Sequence, residues 1–286
     1  MIEIPIGPNL FQFQYNMYWI MSWHGFFSFV AVLVAVTLVA RWAPLKGIHP
    51  DAIYSIAIWG LIGGIIGARV VHVIDNWNAI YQYAPLDVFA IWKGGIGVWG
   101  GILGGFIGGA LSALITKHPV GIVADLTAPA MLFVQSIGRI GDIINGEHCA
   151  KATDLFFGFS WTHPGTIARV CDAGFDVLPV HPVIAYEIIW NMVALTIVWK
   201  LRGRLKTDGM LFALYLALYS VGRFIISFYR EDNVWWLGMQ EAHFIALLVL
   251  LITIPLLAFK ARLTDRVEEV PLVVDSRTRA EKRRKQ

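Results

Sequence analysis

The chain has 286 residues, of which 57% are hydrophobic and 15% are charged, and its mean hydropathy is +0.62. A soluble domain carries about 25% charged residues, so this composition excludes an ordinary soluble protein and indicates a membrane protein. The net charge is only +3, and no nucleic-acid partner is expected.

Seven apolar stretches follow one another along the chain, and each predicts a transmembrane helix. A helix of about 20 residues crosses the hydrocarbon core of a bilayer. Six spans remain the alternative, because the short fourth stretch also suits a buried or re-entrant segment. The predicted fold is an all-α polytopic membrane protein. The stretches are 21–40, 52–68 with an extension to 74, 95–116, 122–137, 183–199, 210–228 and 244–259.

Positive charge is unevenly divided between the two sets of loops that seven spans create. One set, together with the C-terminal segment, holds 16 of the 23 lysines and arginines. Loops rich in these residues stay cytoplasmic, so we expect the N-terminus outside and the C-terminus inside. We also expect a transmembrane domain over residues 1–260 and a basic cytoplasmic tail over residues 261–286 that touches anionic lipid heads.

Glycines recur every four residues in the second and third stretches. This spacing lets helix backbones approach closely in lipid, where packing replaces the hydrophobic effect as the driving force. No strand precedes these glycines, so we interpret them as packing surfaces and not as a phosphate-binding loop. They are Gly60, Gly63, Gly64, Gly67, Gly97, Gly100, Gly101, Gly104, Gly105, Gly108 and Gly109.

The fourth stretch ends in an unusually polar run, GRIGDIINGE, over residues 138–147. An arginine at the centre of a membrane helix costs about 2.5–3.5 kcal/mol on insertion scales, so such groups usually serve a substrate. An arginine suits an anion, and a planar guanidinium binds a phospholipid headgroup in two places. The other basic residues predicted at this membrane face are Arg69, His72, Lys93, Arg223 and Arg230.

The longest extramembrane insertion spans residues 147–180. It mixes Gly, Pro, Asp and aromatic residues without helical periodicity, which predicts a small irregular or β-rich cap on the outer face. Cys149 and Cys171 are the two cysteines of the chain. The sequence is consistent both with a disulfide between them and with two free thiols.

Three motifs occur in order along the second half of the chain. They are the run 138–147, the pairs His181-Pro182 and Tyr186-Glu187 at the start of the fifth stretch, and Tyr219, Arg223 and Arg230 in and after the sixth. Together they resemble the prolipoprotein diacylglyceryl transferase family, from about residue 23 to residue 230. The resemblance implies transfer of the diacylglyceryl group of phosphatidylglycerol to the lipobox cysteine of a prolipoprotein. Glycerol 1-phosphate would be released in this first step of lipoprotein maturation.

The resemblance also implies roles for individual residues. Arg139 and Arg223 would hold the phosphate as its bond breaks, and Glu147 would orient an arginine or help to remove the thiol proton. A solvated loop carboxylate is the alternative for Glu147, and a structural tyrosine is the alternative for Tyr219. The implied substrate-binding residues are Arg139, Asp142, Asn145, Gly146, His181, Tyr186, Tyr219 and Arg230.

No metal or other cofactor is implied. The implied location is the cell (plasma or inner) membrane, which the chain crosses several times, with the active site toward the extracytoplasmic face.

Four residues depart from the usual pattern of the family. Trp99 stands where many members have a histidine, so a general base is missing at that position; Asp142 replaces Asn, and Ser227 replaces Glu. His24 stands where Tyr is usual, near the outer end of the first stretch. Because an imidazole titrates near neutral pH, His24 is our candidate catalytic base. An interfacial anchor and a reaction without a side-chain base are the alternatives.

A transporter or flippase of anionic lipids is the main rival class, because it would use the same arginines to bind its substrate. A transporter built from repeats would show paired broken segments in its two halves, and this sequence lacks them. A structural scaffold would not need arginines at membrane depth. An assay for diacylglyceryl transfer to a lipobox peptide separates the three classes.

Overall fold

Seven long helices dominate a computed structural model that describes residues 1–15, 17–95, 97–146, 148–166 and 179–264. All seven are long and apolar enough to cross a membrane. The predicted seven-helix polytopic membrane fold is therefore confirmed, and the orientation of the termini stays a prediction. The helices are α1 (Trp23–Trp42), α2 (Pro50–Asp75), α3 (Val98–Ile115), α4 (Val120–Asn145), α5 (Val183–Leu201), α6 (Met210–Ser227) and α7 (Glu241–Lys260).

Helix α4 is much longer than the apolar stretch that predicted it. It has 26 residues and continues without interruption past Pro129 and through the polar run to Asn145. Hydropathy marks only the apolar middle of α4, because the end of the helix is polar. That end remains helical within the protein, where its polar side chains have partners. A continuous helix of this length is a span and not a re-entrant segment.

Among the described residues, six short strands form three two-stranded sheets. The parallel pair is β1 (Ile2–Ile4) with β4 (Phe159–Trp161), and the antiparallel pairs are β2 (Asn9–Tyr15) with β3 (Met17–Ser22) and β5 (Val234–Trp236) with β6 (Met239–Gln240). The all-α prediction missed the strands before α1, although the alternation of apolar and polar residues in β2 is a strand signal.

The predicted cap and tail are only partly described. The cap contributes β4 and isolated bridges to Val180, while residues 147 and 167–178 lie outside the described residues. Cys149 is disulfide-bonded, and Cys171 lies outside the described residues. Residues 265–286 of the basic tail also lie outside them, so the tail stays a prediction.

The described residues divide into two compact units. One consists of Met1–Thr37 with the described part of Ala124–Val267, and it contains most of α1, nearly all of α4, and α5 to α7. Its main apolar core includes Leu132 of α4, Val198 of α5 and Tyr215 of α6. The other unit includes the described residues of Leu38–Val123, which contain α2 and α3.

In the unit Leu38–Val123, α2 and α3 pack through facing glycines, as the sequence predicted. A Cβ at Gly104 would lie 3.0 Å from the Cα of Gly67 and 3.1 Å from the carbonyl carbon of Gly63. A Cβ at Gly105 would have more room, 3.4 Å from the carbonyl oxygen of Gly60. Of the two glycine series in α3, the one that includes Gly104 therefore makes the closer approach.

Gly104→Ala should lower the yield of folded protein, whereas Gly105→Ala should be tolerated. Overpacking a close interface costs about 1–3 kcal/mol, and at Gly104 the obstructing atoms are backbone. Thermal stability of the detergent-solubilised protein, followed by size-exclusion chromatography, measures the difference. Equal stabilities of the two variants would contradict this packing.

At either Gly101 or Gly105, leucine is large enough to lower folded yield before it alters catalysis.

Arg69 of the same unit organises the loop between α2 and α3. It is 7% exposed, and its guanidinium donates to the carbonyl oxygens of Val88 at 2.8 Å, Gly94 at 2.7 Å and Gly95 at 3.0 Å. The same group lies 5.4 Å from the ring centroid of Tyr81. Arg69 therefore satisfies backbone carbonyls that would otherwise lack partners, which is a structural role.

Candidate active site

Two arginines from different helices meet at one buried carboxylate. Nε of Arg139, on α4, lies 2.6 Å from Oε2 of Glu187, and Nη1 of Arg223, on α6, donates to Oε1 of Glu187 at 2.6 Å. Glu187 lies near the start of α5 and is 6% exposed. One carboxylate thus fixes both guanidinium groups, although the two arginines are far apart in sequence.

The helical period explains why these residues face one another. Glu187 belongs to the buried stripe of α5, where Ile184, Asn191, Ala194 and Val198 recur at three- and four-residue intervals. A stripe with this spacing forms one face of a helix. The sequence therefore places a carboxylate on the side of α5 that packs inside the protein.

Arg230, just after α6, is the most buried of the three arginines, with 3% of its side chain exposed. Its Nε donates to Oδ2 of Asp232 at 2.8 Å, its Nη1 lies 3.5 Å from Oε1 of Glu187, and its Nη2 lies 2.8 Å from Nδ1 of His148. Every guanidinium nitrogen has a protein partner. This geometry favours a role in positioning Glu187 and His148 over the substrate contact expected from the sequence.

Asp232 completes the surroundings of Arg230 outside the membrane spans. Burial opposes its ionisation, but the hydrogen bond from Arg230 and the charges of Arg230, Arg223 and His148 lower the pKa of Asp232 below its ordinary value. Asp232 is therefore a carboxylate at neutral pH, and it balances the charge of Arg230.

Asp142 is a second buried carboxylate, one turn after Arg139 on α4. Its Oδ2 accepts a hydrogen bond from Nη1 of Arg139 at 2.7 Å, and its Oδ1 contacts Nδ1 of His24. The backbone N–H of His24 donates to Oδ1 of Asn145 at 3.3 Å. The first turn of α1, whose N–H groups have no partners within the helix, is thus attached to the end of α4.

Two glycines of the polar run allow this arrangement. A Cβ at Gly141 would lie 2.8 Å from the Cα of His24, so a larger residue would separate α1 from α4. Gly146 follows α4 with φ of +59°, and its N–H donates to the carbonyl of Asp142 at 2.9 Å. A left-handed residue after a helix is usually glycine, which gives Gly146 a structural role at the end of α4.

His148 and Glu187 were not among the site residues expected from the sequence. Nε2 of His148 lies 3.4 Å from Nη1 of Arg139 and 3.6 Å from Oδ2 of Asp142, while its Nδ1 faces Arg230. The signal for Glu187 was present, because a carboxylate within an apolar helix needs a partner just as an arginine does. His148 had no comparable signal.

The remaining expected residues lie around this network or outside the described part of the chain. Nδ1 of His181 and Oη of Tyr186 are 3.2 Å apart, and both rings contact Tyr229. The Tyr219 ring packs against Tyr215 in the main apolar core, with centroids 6.3 Å apart. Glu147 lies outside the described residues.

The network presents a cationic surface. The side chains of Arg139 and Arg223 are 20% and 18% exposed, whereas those of Glu187 and Asp142 are only 7% and 4% exposed. In the hydrogen bonds formed among described residues, Arg223 uses only Nη1, so Nε and Nη2 remain for a ligand. The carboxylates thus lie behind guanidinium groups that suit an anion.

Fold and site together define a polytopic membrane protein with a cluster of partly exposed arginines at the ends of its helices. A family model described as prolipoprotein diacylglyceryl transferase matches residues 10–259, and the chain belongs to this family. The resemblance drawn from the sequence motifs is therefore confirmed, and the protein is a membrane transferase.

Curated relatives support this assignment. The chain is 33% identical over 249 residues to phosphatidylglycerol–prolipoprotein diacylglyceryl transferase 1 of Streptomyces coelicolor, covering 84% of this chain and 69% of that protein. It is 34% identical over 221 residues to the enzyme named phosphatidylglycerol–prolipoprotein diacylglyceryl transferase in Trichormus variabilis, covering 74% and 76%. It is 29% identical over 273 residues to the enzyme of that name in Dehalococcoides mccartyi, covering 94% and 100%.

Proposed function

We propose that this protein transfers the diacylglyceryl group of phosphatidylglycerol to the lipobox cysteine thiol of a prolipoprotein and releases glycerol 1-phosphate. The names of its relatives contain both substrates. The observation that carries the proposal is the pair of arginines held by Glu187, which presents two guanidinium groups to one anion.

The reaction is a displacement at carbon. The thiol sulfur attacks the glyceryl carbon that bears the phosphate, a C–S bond forms, and the C–O bond breaks. The electron pair of that bond goes to the phosphate oxygen, which leaves as part of glycerol 1-phosphate, and the thiol proton passes to a base. Charge grows on the leaving oxygen, and fixed cations in a site of low dielectric stabilise such charge strongly.

Arg139 and Arg223 bind the phosphate in this proposal. A guanidinium can contact two phosphate oxygens at once, and Glu187 holds both arginines in place before the lipid arrives. Asn145, His181, Tyr186 and Tyr219 remain proposed contacts for the rest of the lipid or the peptide.

His24 is the proposed proton acceptor. Its side chain is 46% exposed, and it contacts the same carboxylate as Arg139. It is therefore near the proposed phosphate site and accessible to a thiol. Glu147 is the other candidate base implied by the family resemblance.

We further propose that the protein lies in the cell membrane with its active site toward the extracytoplasmic face. His24 is at the start of α1, Asp142 at the end of α4, Glu187 at the start of α5 and Arg223 at the end of α6. The chain therefore places all four at one end of these helices. The loop 202–209 at the opposite end is rich in Lys and Arg, as cytoplasmic loops are.

A direct assay tests the function. The purified protein is incubated with phosphatidylglycerol labelled in its acyl chains and with a lipobox peptide, and the peptide is then analysed by mass spectrometry. We expect diacylglycerol linked to cysteine as a thioether, together with released glycerol phosphate, and no product with a Cys→Ser peptide. Movement of labelled lipid across the bilayer without peptide product would refute the proposal in favour of a flippase.

A further inference from the structure

Asp142 serves two groups of the proposed site with its two oxygens. Oδ2 accepts from Nη1 of Arg139 at 2.7 Å, and Oδ1 contacts Nδ1 of His24. Asp142 is 4% exposed, and its own carbonyl accepts the N–H of Gly146, so it lies within a fixed helix end. Asp142 therefore directly connects Arg139, the proposed phosphate-binding residue, with His24, the proposed base.

The contact with Asp142 determines which nitrogen of His24 carries hydrogen. A carboxylate that accepts from an arginine is an acceptor, so Nδ1 of His24 must donate to it. In a neutral imidazole, Nε2 then holds the lone pair. The backbone N–H of His24 is bound to Asn145 at 3.3 Å, which fixes the residue at a second point.

We propose that Asp142 is a positioning residue that orients His24 with Nε2 as its basic nitrogen and couples this base to the phosphate-binding Arg139. The inference rests on the proposed function. An analogous carboxylate fixes the tautomer of the histidine in hydrolase triads. Here the same carboxylate also holds the cation that binds the leaving group.

An asparagine could not replace Asp142 while His24 is present. Its single oxygen can accept from Arg139 only if its NH₂ group faces Nδ1 of His24. The lone pair would then be on Nδ1 and the hydrogen on Nε2, so the basic nitrogen would be lost.

The tautomer can be observed without any turnover. Nitrogen-15 NMR of the full-length protein, labelled at histidine and reconstituted in lipid nanodiscs, reports which imidazole nitrogen is protonated. The chain has eight histidines, so the signal of His24 is identified by its loss in His24→Phe. At alkaline pH, we expect hydrogen on Nδ1 in the wild type and on Nε2 in Asp142→Asn. The same tautomer in both proteins would overturn the inference.

Kinetics give the second test, with kcat and KM measured for His24→Phe, Asp142→Asn and the double variant. A general base contributes about 10²–10⁴-fold, so His24→Phe should lower kcat at least about 10²-fold with little change in KM for phosphatidylglycerol. Asp142→Asn should lower kcat much less in the His24→Phe background than in the wild type, because the two residues act as a unit. Equal losses in both backgrounds would contradict the coupling.

Controls separate a positioning role from loss of fold and from failure of the proposed function. Asp154→Asn and His118→Phe change exposed or loop residues outside the site and should retain wild-type activity.

If the wild type forms no thioether product, the proposed function fails, whereas the tautomer measurement still tests the role of Asp142. If Asp142→Asn fails to fold, Asp142→Glu takes its place, and NMR should show hydrogen on Nδ1 of His24; hydrogen on Nε2 would contradict the inference.

Discussion

Replacing Arg223 or Arg139 by lysine should lower kcat about 10²–10³-fold, which is the usual loss when one group that stabilises developing charge is removed. Lysine keeps the charge, and with it much of the attraction to Glu187. An ammonium, however, cannot contact Glu187 and two phosphate oxygens with the fixed fork of a guanidinium. The measurement is the rate of thioether formation with phosphatidylglycerol and the lipobox peptide.

Arg204→Lys is the matched control for both substitutions, because Arg204 is exposed in the loop between α5 and α6. It should retain wild-type turnover. Thermal stability of each variant shows whether the fold is intact. A folded Arg223→Lys protein with wild-type kcat would show that Arg223 does not bind the phosphate.

Glu187→Gln should be the most destabilising single substitution in the site. Glu187 is 6% exposed and contacts Arg139, Arg223 and Arg230. Removing one partner of a buried ion pair costs about 3–5 kcal/mol, because the remaining charges stay buried without compensation. Glutamine preserves the shape of the side chain, so the loss reports on charge. We therefore expect a marked fall in the unfolding temperature together with a loss of transferase activity.

The matched control for Glu187 is Glu3→Gln, which removes the same charge from an exposed position in β1. Its unfolding temperature should equal that of the wild type. If Glu187→Gln is equally stable, the three arginines do not depend on this carboxylate, and the described site is wrong in its central contact.

The sequence predicted the helical architecture because hydropathy measures the main requirement for crossing a bilayer. It underestimated α4, since Arg139, Asp142 and Asn145 are polar and yet are accommodated by partners within the protein. Two of those partners, His24 and Glu187, lie on α1 and α5, and hydropathy along α4 carries no information about them. The strands before α1 were missed for a different reason: apolar and polar residues alternate in β2, so it contains no continuous apolar stretch.

Motif resemblance identified Arg139 and Arg223 but not how they are held. Glu187 belongs to the Tyr186-Glu187 pair of the motif, but its contacts with both arginines depend on how α5 packs against α4 and α6. Arg230 was expected to bind substrate, whereas its position among Asp232, Glu187 and His148 depends on contacts that are distant in sequence. Such contacts are set by tertiary packing, which spacing along the chain does not determine.

The glycine series of α3 also shows that spacing along the chain does not determine tertiary contacts. The four-residue spacing correctly predicted backbone packing against α2. Two interleaved series share this spacing, however, and only the crossing geometry of the helices decides which approaches more closely. Gly104 belongs to the closer series and Gly105 to the other.

The central claim is that Arg139 and Arg223 together bind the phosphate of phosphatidylglycerol. A cryo-electron microscopy structure of the wild-type protein in nanodiscs with phosphatidylglycerol, and without peptide so that no thiol is present, tests it most directly. We predict the lipid phosphate within hydrogen-bonding distance of both guanidinium groups, with Glu187 still in contact with them. A phosphate bound to only one of the two arginines, or at another site, would contradict the account.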